Sequence, residues 1–103
     1  MINLIIGTEI EAETKAMEMM KGKTVFNAND CSKLLVFGKE IIKQRDLLFI
    51  KNLDNKMLFE ELVENIELLL RHEVETIAIT YRDDIIEAYE DVEGVNIIDL
   101  RGE

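Results

Sequence analysis

A chain of 103 residues with 48% apolar and 33% charged residues has the composition of one globular domain, residues 1–103. At this size folding buries about 65% of the surface the unfolded chain exposes, enough for one modest core. The net charge of −10 is spread unevenly, +1 over residues 1–53 and −11 over residues 54–103, which argues against direct binding to nucleic acid or to anionic membranes, where Lys and Arg supply the affinity.

Five short apolar runs alternate with four helical patterns, the layout of a parallel α/β sheet. The first run, Ile2–Ile6, has no basic stretch before it and reads as a strand rather than a signal peptide. A helix is predicted from about Glu9, with Ile10, Thr14, Met17 and Met19 or Met20 on its buried side. The second run is Thr24–Asn27. Asp30 is a suitable N-cap for a second helix carrying Leu34, Leu35, Phe37, Ile41 and Ile42. After a third run, Leu47–Ile50, the 3.6-residue period is clearest: Phe59, Leu62, Val63, Ile66, Leu69 and Leu70 form one stripe, and Glu60, Glu61, Glu64 and Glu67 face away. The fourth run is Thr76–Thr80. A short helix follows from Asp83 to Asp91, with Ile85, Ile86, Tyr89 and Val92 inward and Gly94 closing it, and Val95–Asp99 ends the series. Right-handed crossovers turn this order into a three-layer sandwich: a five-stranded, mainly parallel sheet with about four helices, P-loop-NTPase-like or Rossmann-like.

The first turn carries the most informative motif. Gly7-Thr-Glu-Ile-Glu-Ala-Glu-Thr14 has the spacing of a phosphate-binding loop, G-x-x-x-x-G-K-[ST], at a strand-to-helix junction. Such a loop uses glycines to bring backbone N–H groups to the phosphates and a lysine to balance their charge. Here Ala12 occupies the second glycine position and Glu13 the lysine position, while Gly7 and Thr14 are kept.

Along the chain, several segments resemble helicase loaders and replication-initiator ATPases of the AAA+ type. Lys23-Thr-Val-Phe-Asn-Ala-Asn-Asp-Cys31 is similar to their second strand and the following helix start. Asp46-Leu-Leu-Phe-Ile-Lys-Asn-Leu53 resembles the strand of their second nucleotide motif, and Phe59-Glu-Glu-Leu-Val-Glu-Asn-Ile66 the next helix. Thr76-Ile-Ala-Ile-Thr-Tyr-Arg-Asp-Asp84 looks like the strand bearing the polar sensor residue, with Tyr81 and Arg82 at its end. The likeness covers residues 3–84 at low specificity, and no helical lid follows in this sequence.

The departures are chemical. Lys51 stands where the resemblance implies an acidic magnesium partner, and Asn52 where it implies Asp or Glu. Water activation in such ATPases needs a carboxylate-held magnesium and a base, so the resemblance implies a pseudo-ATPase with degenerate Walker motifs: no catalytic residues, no bound cofactor and no metal. A shifted magnesium site on Asp46 and Asp54 has nothing to recommend it.

The remaining chemistry is sparse. Cys31 is single, which rules out an internal disulfide and fits a reducing cytoplasm. His72 ends the acidic third helical pattern, where a cation suits the helix dipole. Asp83, Asp84, Glu87, Glu90, Asp91 and Glu93 follow no calcium-loop spacing, and no apolar run reaches the ~20 residues of a membrane span. Met17, Met19 and Met20 form either an adaptable contact patch or ordinary packing against the sheet.

The expectation is an acidic, cytoplasmic, non-catalytic protein–protein interaction module. It would be an inhibitor of a DNA-replication or helicase-loader ATPase, of the kind phages and mobile elements encode. Glu60, Glu64, Glu67, Asp83, Asp84 and Glu87 would meet the partner's basic surface. The alternatives are a small flavodoxin-like ligand-binding domain and an acidic DNA-mimic decoy. Strand order separates the first two readings: the ATPase-like layout puts the first strand between the fourth and fifth, the flavodoxin-like one between the second and third.

Overall fold

The computed structural model describes residues 1–28, 47–54 and 58–101. The elements are β1 (Ile2–Ile6), α1 (Glu9–Met20), β2 (Val25–Ala28), β3 (Leu47–Ile50), α2 (Phe59–Arg71), β4 (Thr76–Ile79), α3 (Asp83–Tyr89) and β5 (Val95–Asp99). The five strands form one sheet, wholly parallel, in the order β2-β3-β4-β1-β5. Ile2 is in register with Thr76 on one side and Val95 on the other. Three helices lie among the described residues; the expected helix capped by Asp30 falls outside them, as do Cys31 and Asp46.

Burial follows position in the sheet. β1 and β4 are buried along their whole length, whereas the outermost strands β2 and β5 are only partly covered. A nearly continuous apolar run such as Ile2–Ile6, broken only by Asn3, suits a strand with both faces covered. On one face Leu4, Ile6, Leu48, Ile50 and Ala78 pack with Leu62, Ile66 and Leu69 of α2 and Ile85, Ile86 and Tyr89 of α3. On the other, Ile5, Leu47, Ile77 and Ile79 pack with Ala12 and Ala16 of α1. Asn3, itself buried, meets its register partner across β1 and β5, where Asn96 Nδ2 donates to Asn3 Oδ1 at 3.1 Å.

The stripe on α2 is the one its periodicity predicts, with the addition of Asn65, whose buried Nδ2 donates to the Glu61 carbonyl at 2.9 Å. His72 is the C-cap, its backbone N–H donating to the carbonyls of Leu68 and Leu70. α3 ends at Tyr89, two residues before the expected Asp91, and the chain turns at Gly94 (φ +90°), where a Cβ would stand 3.2 Å from Leu70 Cδ2.

The buried face of α1 differs from expectation. Ile10, Thr14 and Met17 point to solvent, with Ile10 79% and Met17 68% exposed, while Ala12 and Ala16 are fully buried. Met19 and Met20 are half-buried against the sheet on the alanine side. The cause is the connection. Only Gly7 and Thr8 separate β1 from α1, so the helix phase is set by a two-residue turn. Alanines four residues apart then let the helix axis approach the sheet closely.

Candidate functional site at the carboxyl edge of the sheet

A parallel sheet delivers the ends of all its strands to one edge. The chain leaving β1 enters α1 on one face, and the chain leaving its neighbour β4 enters α3 on the other. Such a switch point opens a crevice between the two strands, the usual ligand position in open α/β sheets. Gly7 and Thr8, Lys51 to Asp54, and Thr80 to Arg82 arrive there from β1, β3 and β4.

The octapeptide 7–14 is not a loop. Thr8 is the N-cap of α1, its Oγ1 accepting from the Glu11 N–H at 3.2 Å and its carbonyl from the Ala12 N–H at 2.9 Å. Residues 9–14 are helical, so no run of loop N–H groups is available to surround a phosphate. Gly7 has a packing role instead: a Cβ there would lie 2.9 Å from Leu100 Cβ, beside the Leu100 N–H that donates to the Ile6 carbonyl at 2.8 Å. Ala12 is core, and Thr14 is exposed.

Two of the residues singled out in the sequence do come together. Lys51 Nζ lies 3.3 Å from Glu13 Oε1, an ion pair joining the end of β3 to the second turn of α1. The side chains are 55% and 34% exposed, so the pair contributes only about 0–1 kcal/mol to stability. Asn52, next along, is exposed.

Beside this pair lies a clamp that sequence reading missed. Asp54 Oδ1 accepts from Thr80 Oγ1 and Asp54 Oδ2 from the Tyr81 N–H, each at 2.6 Å. Thr80 Oγ1 in turn accepts from the Arg82 N–H at 3.2 Å. Thr80 is fully buried, and the Leu53 N–H donates to the Ile79 carbonyl at 3.0 Å. The Tyr81 hydroxyl is pushed above its ordinary pKa, first by partial burial and then by Glu9, Glu13 and Asp54, with Lys51 opposing. Three carboxylates and one ammonium therefore converge on the crevice, a charge set hostile to phosphate. The sequence had singled out Asp54, Tyr81 and Arg82 there besides Glu13 and Lys51, but not Thr80; the link from Asp54 to Thr80 spans 26 residues and leaves no local signal.

The acidic surface is less uniform than its composition implies. Glu60, Glu64, Glu67, Asp83, Asp84 and Glu87 are all exposed. Asp84, however, takes a two-pronged bond from Arg82 (Nε to Oδ1 3.0 Å, Nη2 to Oδ2 2.6 Å), which holds its carboxyl below the usual range. Asp83 is bonded by Arg101, which also reaches Asp99 at 3.1 Å and lowers that carboxyl too. Glu67 Oε1 accepts from the Tyr89 hydroxyl at 3.3 Å. Half of the six expected contact residues are thus already engaged within the fold.

Among the described residues no group of three or more His, Cys, Asp or Glu side chains is arranged to hold a metal ion, and no helix is long and apolar enough to cross a membrane. Compared with protein-family models, curated proteins and solved structures, the chain matches none.

Proposed function

We propose that this chain is a non-catalytic, ATPase-like binding module that acts by docking on a protein with a basic surface. A replication or helicase-loader ATPase is the partner class the sequence resemblance favours. The module takes the place of a neighbouring subunit and blocks assembly or nucleic-acid access.

The observation that carries the reading is the Glu13–Lys51 ion pair. It joins the two positions where the resemblance implies a phosphate-binding lysine and a magnesium-binding acid, with both signs reversed. The two reversed charges satisfy each other, and with Glu9 and Asp54 close by the edge keeps an excess of negative charge, which disfavours a nucleotide. The strand order supports the same layout, because β1 lies between β4 and β5; a flavodoxin-like sheet would put it between β2 and β3. The −11 balance of residues 54–103 supplies attraction to a basic partner, with fast association and strong salt dependence.

Affinity capture of the tagged chain from lysate of the source cells, washed at low and then high salt, tests the reading. Recovery of one DNA-processing ATPase at low salt and its loss at high salt is the expected result. Absence of any specific protein at low salt would count against it.

A further inference from the structure

The largest exposed apolar side chains of any described helix lie on the outer side of α1. Ile10 is 79% and Met17 68% exposed, while the small residues Ala12 and Ala16 fill the inner side completely. Ile10, Thr14 and Met17 fall at i, i+4 and i+7 and share one stripe. A short helix that turns its two bulky apolar residues, Ile10 and Met17, outward on one face and its methyl groups inward is poorly explained by the needs of its own core.

The flanks of this stripe say what fits it. Glu11 and Glu18, both exposed, run along one side one residue further round the helix, while Glu13 on the other side, next to Met17 at i+4, is already paired with Lys51. α1 carries four glutamates against Lys15 alone. A second copy of this chain would bring the same glutamates and another −10 of charge against the stripe, an arrangement repulsion disfavours. A cationic amphipathic segment matches both features, its apolar residues meeting Ile10 and Met17 and its Lys or Arg meeting Glu11 and Glu18.

We infer that the outer face of α1, centred on Ile10 and Met17, is the anchoring surface for a basic amphipathic helix of a partner protein. The inference rests on the protein-binding reading above and moves its centre from the acidic helices α2 and α3 to α1. The mode is helix against helix, with the two apolar anchors Ile10 and Met17 at i and i+7.

The test uses the full chain and a synthetic helical peptide with leucines at i, i+3 and i+4 spacing and lysines elsewhere, together with its glutamate counterpart. Binding is followed by anisotropy, and its position by amide chemical shifts. The expected result is saturable binding of the lysine peptide alone, with shifts concentrated on residues 9–21. Ile10→Ser with Met17→Ser should weaken it at least about tenfold with the thermal midpoint unchanged, since both side chains are exposed. Shifts confined to α2 and α3, with the double variant binding like the wild type, would remove α1 and leave the protein-binding reading standing. Failure of the lysine peptide to bind anywhere would overturn the inference, and only failure of the lysate capture as well would reach the broader reading. A dimer that the double variant dissolves would make a second copy the occupant and overturn it equally. So would contacts in the free chain between the Ile10 or Met17 methyls and residues 29–46.

Discussion

Asp54 and Glu13 are carboxylates at the same edge of the sheet, yet their energetic weights differ. Asp54 holds the hydroxyl of fully buried Thr80 and the Tyr81 N–H. Asp54→Ala strands the buried hydroxyl and should cost about 1–3 kcal/mol in urea unfolding. Glu13→Gln breaks an exposed ion pair and should cost under about 1 kcal/mol. Tyr89 gives a pH signature. Burial, then Glu67, push its hydroxyl up to about 12, above the ordinary tyrosine value of about 10. The folded state therefore holds that proton more tightly than the unfolded chain. Its contribution is complete below about pH 10 and lost as pH rises through about 12. Tyr89→Phe should flatten this alkaline fall in a stability–pH profile. Asp84 and Asp99, with depressed values, act in the opposite direction: their contribution is present above about pH 4 and lost on acidification below it.

At the scale of elements, what was legible in the sequence was whatever repeats locally. β1, β3 and β5 have the expected bounds, β2 is displaced by one residue, and β4 ends one residue earlier. The stripe on α2 is long and strongly periodic, so one reading of its inward face was available. α1 has two apolar stripes, one of large residues and one of small, and size pointed to the wrong one. The deciding quantity was the helix phase set by Gly7 and Thr8 and by the Leu100 side chain packed on Gly7, which is tertiary information. The same turn explains why the octapeptide 7–14 matched a loop in spacing but forms a helix. Ala16→Leu should therefore destabilise by about 1–3 kcal/mol through overpacking. Met17→Ser should stay within about 0.5 kcal/mol. Paired chemical-denaturation curves decide between the faces of α1.

The whole molecule is built on a wholly parallel sheet in the order β2-β3-β4-β1-β5, with Glu13 and Lys51 paired at its carboxyl edge. Parallel pairing was legible from strand–helix alternation; the position of β1 between β4 and β5 was not, because adjacency depends on contacts between distant segments. Of the candidate site, Glu13 and Lys51 were singled out in the sequence by a resemblance alone, and the structure joins them at 3.3 Å. The pairing of Arg82 with Asp84, and of Arg101 with Asp83 and Asp99, was not legible within a strongly acidic half. The central proposal is that this edge takes no nucleotide and that the chain acts through protein contact. The most direct measurement is a calorimetric titration of Mg-ATP into the full chain. The account predicts no saturable heat up to about 1 mM nucleotide, weaker than about −4 kcal/mol of binding. Stoichiometric binding at micromolar nucleotide would contradict it.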